Sequence, residues 1–313
     1  MPEIFIVILN YKNWQEVVEC LESVFRSNYR NFKVIVIDNA SGNDSLEHLM
    51  KWADGHGVPS GALAYRYIRS QDLDEHTDPA AFPRLVFIQN EKNSGFAGGN
   101  NVVLRFLTGE EGYIWMLNPD MVIEENTLSE LVKFSASRPV RSITGIVIKF
   151  HENPDKVHMY GGGRINFGSG TSSLIWEQKD IPRLDYISGG ALFTRAQNFK
   201  ELGLLPEEYF LYWEETDWCY RAREKGYQMN ICLTAVGYDK VGTSVGRGFL
   251  ADYYYTRNGL LFVDKYRTGK IRRALFAAYL RLLKRVLCIQ WARARGVYQG
   301  IHAFTKRLDR ENQ

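Results

Sequence analysis

Four short apolar segments of strand length, each followed by polar residues, constrain the fold of this chain more than any other feature. They lie at residues 4–9, 32–37, 85–88 and 113–117. Apolar side chains recur at helical spacing in three further segments, residues 14–25, 45–52 and 102–107. This alternation of strand and helix predicts an α/β fold with a Rossmann-like, mostly parallel sheet that carries helices on both faces.

The ends of these strands carry polar side chains. Asn10 and Asp38 follow the first two strands, Asn93 comes shortly after the third, and Asp120 comes shortly after the fourth. In open α/β sheets, ligands bind at the carboxyl ends of the strands. We therefore expect a ligand site at this edge of the sheet.

The remaining composition limits the class of protein. Residues 55–84 are polar and irregular, which indicates a surface excursion, and the glycine-rich residues 142–190 predict strands and loops of a second half.

The apolar run at residues 274–280 is far shorter than the roughly 20 residues that span a bilayer. The N-terminus carries Glu3 and no basic segment, so it predicts a buried strand rather than a signal peptide. The four cysteines show no CxxC spacing, and we expect free thiols in a reducing cytoplasm.

Two motifs at the predicted edge suggest ligand chemistry. The glycine-rich segment 93–101 matches neither a P-loop nor GxGxxG, and it fits either a phosphate-binding backbone nest or a tight turn into a helix. Asn118-Pro119-Asp120 places a carboxylate at a strand end. Such a carboxylate suits a hard divalent cation, and a plain turn is the alternative.

An acidic cluster is the third motif. Glu214, Glu215 and Asp217 lie within four residues and are flanked by aromatic residues on both sides. Apolar surroundings raise the pKa of a carboxylate and make it usable as a general base. Helical spacing also allows Asp217 to pair with Arg221, which would make that acid structural.

The order of the motifs carries a family resemblance. The segments VILNYKN, VIVIDNASGND, NSGFAGGNN, WMLNPDM, YISGGALFTR, FLYWEETDWCYRAREKGY and YYYTRN follow one another over about residues 4–262. Together they resemble the inverting glycosyltransferases of family 2, which have the GT-A fold, and in particular the bacterial rhamnosyltransferase-like branch that builds cell-surface polysaccharide. The resemblance implies a nucleotide-sugar-binding half at residues 1–125 and an acceptor-binding, catalytic half at residues 126–264.

The resemblance also implies roles for single residues. Glu215 is expected to be the catalytic base beside Glu214, and Asp120 is expected to bind a divalent cation, Mg²⁺ or Mn²⁺. The family often has a histidine ligand where this chain has Asp239, in Asp239-Lys240-Val241-Gly242-Thr243-Ser244. Aspartate also binds hard cations, and a plain loop acid is the alternative. The donor is expected to lie against Asn10, Tyr11, Asp38, Asn93, Gly95, Asn100, Asn118, Gly189, Gly190 and Arg257.

The expected activity is transfer of a sugar, from dTDP-rhamnose or a UDP-sugar, to a hydroxyl of a cell-surface glycan or a lipid-linked acceptor. The departures at Asp239 and Glu215 leave a second hypothesis open, namely a catalytically inactive protein of the same fold that binds nucleotide-sugar or acts as a scaffold. We expect no nucleic-acid partner, and an oligomer stays open.

The C-terminal tail differs in charge from the rest of the chain. Residues 265–313 hold 13 Lys and Arg but only Asp309 and Glu311, whereas residues 1–264 hold 26 Lys and Arg against 34 Asp and Glu. Residues 271–295 predict one amphipathic helix whose apolar stripe lies opposite most of its basic residues. Such a helix can pack on its own domain, but the basic excess predicts that residues 265–310 associate peripherally with the anionic inner face of the cell membrane.

Overall fold

The computed structural model describes residues 1–55, 63–240 and 248–311, with side chains described as far as residue 307. Its strands are β1 Ile4–Asn10, β2 Phe32–Asp38, β3 Tyr65–Arg69, β4 Leu85–Gln89, β5 Tyr113–Leu117, β6 Met121–Ile123, β7 Ser142–Phe150, β8 Asn153–Tyr160, β9 Gly162–Asn166, β10 Thr171–Leu174, β11 Tyr186–Ile187, β12 Ala191–Arg195 and β13 Gln228–Asp239. Its helices are α1 Trp14–Phe25, α2 Ser45–Gly55, α3 Gly95–Leu107, α4 Thr127–Ala136, α5 Ala196–Leu202, α6 Glu214–Glu224, α7 Phe249–Arg267, α8 Ile271–Leu287 and α9 Trp291–Glu311.

One large mixed sheet organises the molecule. Its strand order is β3-β4-β2-β1-β5-β12-β7-β13-β6, with β8 paired to β7, and β10-β9-β11 form a separate small sheet. The β3-β4-β2-β1-β5 half is parallel throughout, and β12 joins it antiparallel to β5. The sheet is continuous across the boundary predicted at residue 125, so the two predicted halves share one sheet.

Helices cover both faces of the sheet, as the sequence predicts. Successive side chains of a strand point to opposite faces, and in β1 Ile6 joins one apolar core while Val7 joins the other. The first core contains side chains of α1, α2 and α4, and the second contains those of α3, α5 and α6. The expected α/β fold is confirmed.

Two details of the sequence prediction are wrong. The excursion at residues 55–84 contains an edge strand, β3, which pairs in parallel with β4. Its residues alternate poorly because only Ile68 is buried, so the pattern gave no strand signal. Helix α3 begins at Gly95 rather than at residue 102, and the glycine-rich segment forms its first two turns.

The C-terminal tail also departs from its prediction. The single helix expected over residues 271–295 is two helices, because α8 ends at Leu287 and Ile289 adopts a positive φ of 56° before α9 begins. Helix α9 packs closely on α7, where a Cβ on Gly296 would lie 2.4 Å from the carbonyl oxygen of Phe249. In the described residues, no helix is long and apolar enough to cross a membrane.

Candidate active site

The ends of β1 and β2 are joined by a buried hydrogen-bond network. Asn10 donates from Nδ2 to Oδ1 of Asp38 at 2.8 Å. The other carboxylate oxygen of Asp38 accepts from the main-chain N–H of Ser41 at 3.1 Å and from Nε2 of Gln89 at 2.9 Å. The structure therefore brings together two residues that the sequence assigned to the nucleotide, and it fixes the orientation of Asp38 from both neighbouring strands.

Asn39 connects this network to the glycine-rich segment. Its Nδ2 donates to Oδ1 of Asn93 at 3.0 Å and to the carbonyl oxygen of Gly95 at 3.1 Å, and its Oδ1 accepts from Asn90 and from the N–H of Ser94. Sequence reasoning gave Asn39 no role. The signal was its place beside Asp38 at a strand end, but its partners come from a distant loop that only the fold brings near.

The start of α3 lies directly against the segment that precedes the acidic cluster. Gly95 has a φ of 72°, and a Cβ there would lie 2.1 Å from the carbonyl oxygen of Phe210. The N–H of Phe96 donates to that same oxygen at 2.7 Å. A side chain at residue 95 is therefore excluded by contact as well as by backbone conformation. Asn100 is buried one turn later and donates from Nδ2 to the carbonyl oxygen of Phe96.

Gly189 and Gly190 bring the end of β5 next to the acidic cluster. The N–H of Asn118 donates to the carbonyl oxygen of Gly190 at 2.9 Å, and a Cβ on Gly190 would meet the side chain of Asn118. A Cβ on Gly189 would lie 3.3 Å from Cβ of Glu215 and 3.0 Å from the ring of Phe96. Because neither glycine has a side chain, the acidic pair can lie close to the strand ends.

Glu214 and Glu215 begin helix α6 and differ in environment. Glu214 is buried, whereas Glu215 is partly exposed. Burial raises the pKa of both carboxyls, and repulsion by Glu215 raises that of Glu214 further. Backbone hydrogen bonds from Glu215, Thr216 and Gly189 oppose the rise of the Glu215 pKa. A partly exposed carboxylate with a raised pKa meets the chemical requirement for a general base.

The turn before this pair is strained. Phe210, Tyr212 and Trp213 have φ values of 67°, 64° and 83°, a conformation that costs roughly 1–3 kcal/mol at each such residue. Asn258 of α7 holds the turn with its side-chain amide, which lies 2.8 Å from the carbonyl oxygen of Tyr209, with further acceptors at Leu211 and Tyr212. Only the arginine of YYYTRN was assigned a role from the sequence, and this asparagine, the last residue of the same motif, was missed.

Asp217 has no free oxygen for proton transfer. Its carboxylate accepts from Tyr209 at 2.8 Å and from Arg221, Lys265 and Tyr266 at 3.0 Å each, and the residue is fully buried. The grouping of Asp217 with the catalytic acids is therefore corrected. This acid joins α6 to α7, and the structural pair with Arg221 that the helical spacing allowed is present.

The two acids expected to bind a cation lie on adjacent main chains. The N–H of Lys240 donates to the carbonyl oxygen of Asp120 at 3.3 Å, which places Asp239 beside that turn. The Asp239 carboxylate lies 3.2 Å from Nδ1 of His158, a residue to which the sequence assigned no role. Residues 241–244 of the same motif lie outside the described residues.

The donor set fits a cation that is shared with a substrate. Within the described parts of the chain, no group of three or more His, Cys, Asp or Glu side chains could hold a metal. Mg²⁺ is commonly held by one or two protein carboxylates together with substrate phosphates. Asp120, almost fully buried after β5, suits that arrangement.

Two residues assigned to the donor lie at the border of the site. Tyr11 is largely exposed, with the ammonium of Lys12 5.1 Å from its ring centroid. Arg257 of α7 donates to the carbonyl oxygen of Glu208 at 2.7 Å, close to the turn that contacts Gly95. Both are therefore on the elements that surround the strand ends.

A mostly parallel sheet with amide and acid side chains at its strand ends, an Asp-containing turn after β5 and an acidic pair at the start of α6 defines a protein of the GT-A class. The sequence pattern described as "Glycosyl transferase family 2" matches residues 5–199, and the chain belongs to that family. The expected family is thus confirmed.

Individual relatives are distant. The low-salt glycan biosynthesis hexosyltransferase Agl10 of Haloferax volcanii is 23% identical over 74% of this chain. The rhamnosyltransferase WbbL of Escherichia coli is 21% identical over 44% of this chain. These matches span 65% and 57% of the two relatives. The mannosyltransferase PcManGT of Pyrobaculum calidifontis, solved with GDP-Man and Mn²⁺, superposes with a TM-score of 0.55 at 13% identity, covering 97% of this chain and 84% of that one.

Proposed function

We propose that this protein transfers a sugar from a nucleotide-diphosphate donor to an acceptor hydroxyl with inversion at the anomeric carbon. The observation that carries the proposal is Glu215. This partly exposed carboxylate has a raised pKa and lies against Gly189, at the strand ends where ligands bind in open α/β sheets. Membership of glycosyltransferase family 2 supports the reaction class.

In the proposed mechanism, Glu215 accepts the proton of the acceptor hydroxyl as the oxygen forms its bond to the anomeric carbon. The nucleoside diphosphate leaves from the opposite face with the electrons of the broken bond. Glu214, the buried member of the pair, has its own pKa raised by burial and by the charge of Glu215, which favours its neutral form beside the base. The turn at residues 210–213, held by Asn258, fixes both carboxylates at the start of α6.

Donor binding is assigned to the network at the strand ends. Asp38, oriented by Asn10 and Gln89, would bind the ribose or base, and the exposed ring of Tyr11 would stack on the base. Asn93, Gly95, Asn100, Asn118, Gly190 and Arg257 would surround the diphosphate and the sugar. The names of the relatives, a hexosyltransferase of glycan biosynthesis and a rhamnosyltransferase, support a hexose or rhamnose as the sugar and a glycan as the acceptor.

We assign the cation to Asp120, with Asp239 nearby. A bound divalent cation would neutralise the negative charge that develops on the leaving diphosphate. PcManGT was solved with Mn²⁺, which supports this assignment. The N–H of Asn118, in the same turn as Asp120, donates to the carbonyl oxygen of Gly190, and the neighbouring Gly189 lies against Glu215. A cation at Asp120 would therefore hold the diphosphate on the side of the site where Glu215 lies.

The test is nucleotide release and sugar transfer with dTDP-, UDP- and GDP-sugars in the presence of Mn²⁺, after a thermal-shift screen has found the donor that stabilises the protein. Glu215→Gln keeps the shape of the side chain but removes the proton acceptor, so turnover should fall by about 10²–10⁴-fold. The rise in melting temperature that the donor causes should be unchanged. Glu111→Gln, at an exposed glutamate before β5, is the matched control. Donor binding without turnover in the native protein would instead favour the inactive binding or scaffold protein.

A further inference from the structure

The outward face of α8 is apolar. Phe276, Tyr279, Leu280, Leu283 and Leu287 follow one another at steps of one, three and four residues, and each is between 50% and 73% exposed. On a helix, this spacing places them on one continuous stripe. Single exposed apolar side chains are ordinary, but a continuous row of them marks a surface that contacts something other than water.

The apolar row continues through the elbow between α8 and α9. Ile289 and Trp291 are 73% and 63% exposed, and Tyr298 on α9 is also largely exposed. Ile289 has a positive φ, which is rare for a β-branched residue, and it lies between the end of α8 at Leu287 and the start of α9 at Trp291. The elbow therefore extends the stripe.

Two arginines of α8 face inward. Arg285 donates to Asp252 of α7 at 3.2 Å, and the guanidinium of Arg281 lies 5.8 Å from the ring centroid of Tyr255. The sequence prediction had placed the basic residues opposite an apolar stripe that packs or binds. In the structure, Ala274 and Ala278 are buried in an apolar core, Leu275 and Leu282 pack against it, and the stripe of exposed apolar side chains lies on the outward side of the helix.

Positive charge borders the stripe. Arg272, Arg273, Lys284 and Arg295 are exposed, and the sequence contains no Asp or Glu from residue 265 to residue 308. An anionic partner complements this charge, whereas two copies of the chain placed stripe to stripe would bring like charges together. Trp and Tyr beside the apolar row are the residues found where a membrane meets water.

We propose that the outward stripe of α8 and the α8–α9 elbow lie in the interface of a bilayer that contains anionic lipid. The apolar side chains enter the boundary between headgroups and acyl chains, and the bordering cations contact lipid phosphates. The inference goes beyond the proposed function, because it requires no turnover. It also differs from the sequence prediction in naming an inserted apolar stripe rather than a basic face alone.

The experiment is co-sedimentation of the full chain with vesicles of phosphatidylcholine, with and without phosphatidylglycerol. We expect binding to the anionic vesicles that weakens as salt is raised. Phe276→Ser combined with Leu283→Ser should lower partitioning by at least about tenfold, since two inserted side chains are lost. Arg272→Gln with Arg273→Gln and Lys284→Gln should lower it by roughly 100-fold.

Matched variants keep the test specific. Leu233→Ser, at an exposed leucine of β13, and the triple change of the exposed Lys133, Lys156 and Lys200 to Gln should bind as the native chain does. Glu215→Gln should also bind normally, which separates this proposal from the proposed activity. The proposal is overturned if the native chain does not bind anionic vesicles, if the serine variant binds unchanged, or if that variant instead abolishes a dimer seen by sedimentation.

Discussion

Glu214 and Glu215 are neighbours in sequence with different surroundings. Burial raises both pKa values, and the charge of Glu215 raises the pKa of Glu214 further. Two acids this close lose their protons in two steps that belong to the pair. One oxygen of Glu214, Oε2, is buried and has no hydrogen-bond partner among the described residues. Ionisation of Glu214 therefore lowers the free energy of unfolding. Such destabilising groups are commonly kept at functional sites because the chemistry needs them.

Replacing Glu214 by Gln should raise the stability of the protein near neutral pH. A carboxyl whose pKa is raised on folding favours the native state below its unfolded pKa of about 4.5, and this contribution is lost as the pH rises through the folded value. The gain in the free energy of unfolding should thus be absent near pH 4 and grow toward neutral pH, reaching about 1–3 kcal/mol. Calorimetry over this range checks it, and a gain that is independent of pH would contradict it.

Asp120→Ala should abolish metal-dependent donor binding while the fold survives. Asp120 lies in the turn after β5 rather than in either apolar core, so its removal should leave the strands packed. Titration calorimetry of the donor with and without Mn²⁺ measures the effect, and Asp72→Ala, at an exposed acid after β3, is the control. Unchanged metal dependence in the Asp120 variant would remove this residue from the proposed site.

Single residues show how far sequence reasoning reached. Asn10, Asp38 and Asn93 could be assigned to one edge of the sheet because each lies at or shortly after a strand end, and their role in binding a ligand stays a prediction. Asp217 was misassigned because its four donors come from Tyr209, α6 and α7, and only the spacing to Arg221 is visible in the sequence. The contact of His158 with Asp239 could not be predicted, since β8 and β13 are brought near each other only because both pair with β7.

At the scale of elements, strands with continuous apolar runs were predicted well and the edges were not. β1, β2, β4 and β5 are buried on both faces, so each is a run of apolar residues with bounds visible to within about one residue. β3 is an edge strand with mostly exposed side chains. The start of α3 was placed late because glycine disfavours helices, while here contact with Phe210 requires Gly95.

The strained turn at residues 210–213 depends on a second element, α7. Asn258→Ala removes the donor shared by three carbonyl oxygens and should cost about 1–3 kcal/mol, since buried acceptors lose their partner. Asn258→Asp keeps the size but sets a carboxylate against those oxygens, so it should be at least as damaging. Turnover should fall more than donor affinity, because the turn positions Glu215.

Kinetics together with unfolding in urea measure both effects. Asn230→Ala, at a partly exposed asparagine of β13 that makes only a long local contact, is the control. Equal turnover in the native protein and the alanine variant would show that the turn keeps its conformation without Asn258.

At the scale of the whole molecule, the tail is part of the body that carries the acidic pair. A third apolar core contains Trp213 of the strained turn and Tyr209 just before it, together with side chains of α7, α8 and α9. The sequence predicted the charge and amphipathic character of this tail. The orientation of α8 and α9 on the body could not be predicted, because it involves contacts of Arg285 and Arg293 with Asp252, which lies 33 and 41 residues earlier in α7.

Asp252 is the carboxylate that joins the three C-terminal helices, and its removal should release the tail while the sheet stays folded. It accepts from Arg293 at 2.6 Å and from Arg285 at 3.2 Å, and burial already lowers the pKa of the neighbouring Arg281. Asp252→Ala leaves two cations without their carboxylate, although both still reach Oε1 of Gln290, and losing one partner of a buried ion pair typically costs about 3–5 kcal/mol. Because the contacts are local, amide exchange in α8 and α9 should accelerate by at least about 100-fold while β1, β2 and β5 keep their protection. Asp252→Asn, which keeps the shape, should show a smaller effect in the same helices. Exchange that rises equally throughout the chain, or not at all, would show that the tail is not held by this carboxylate.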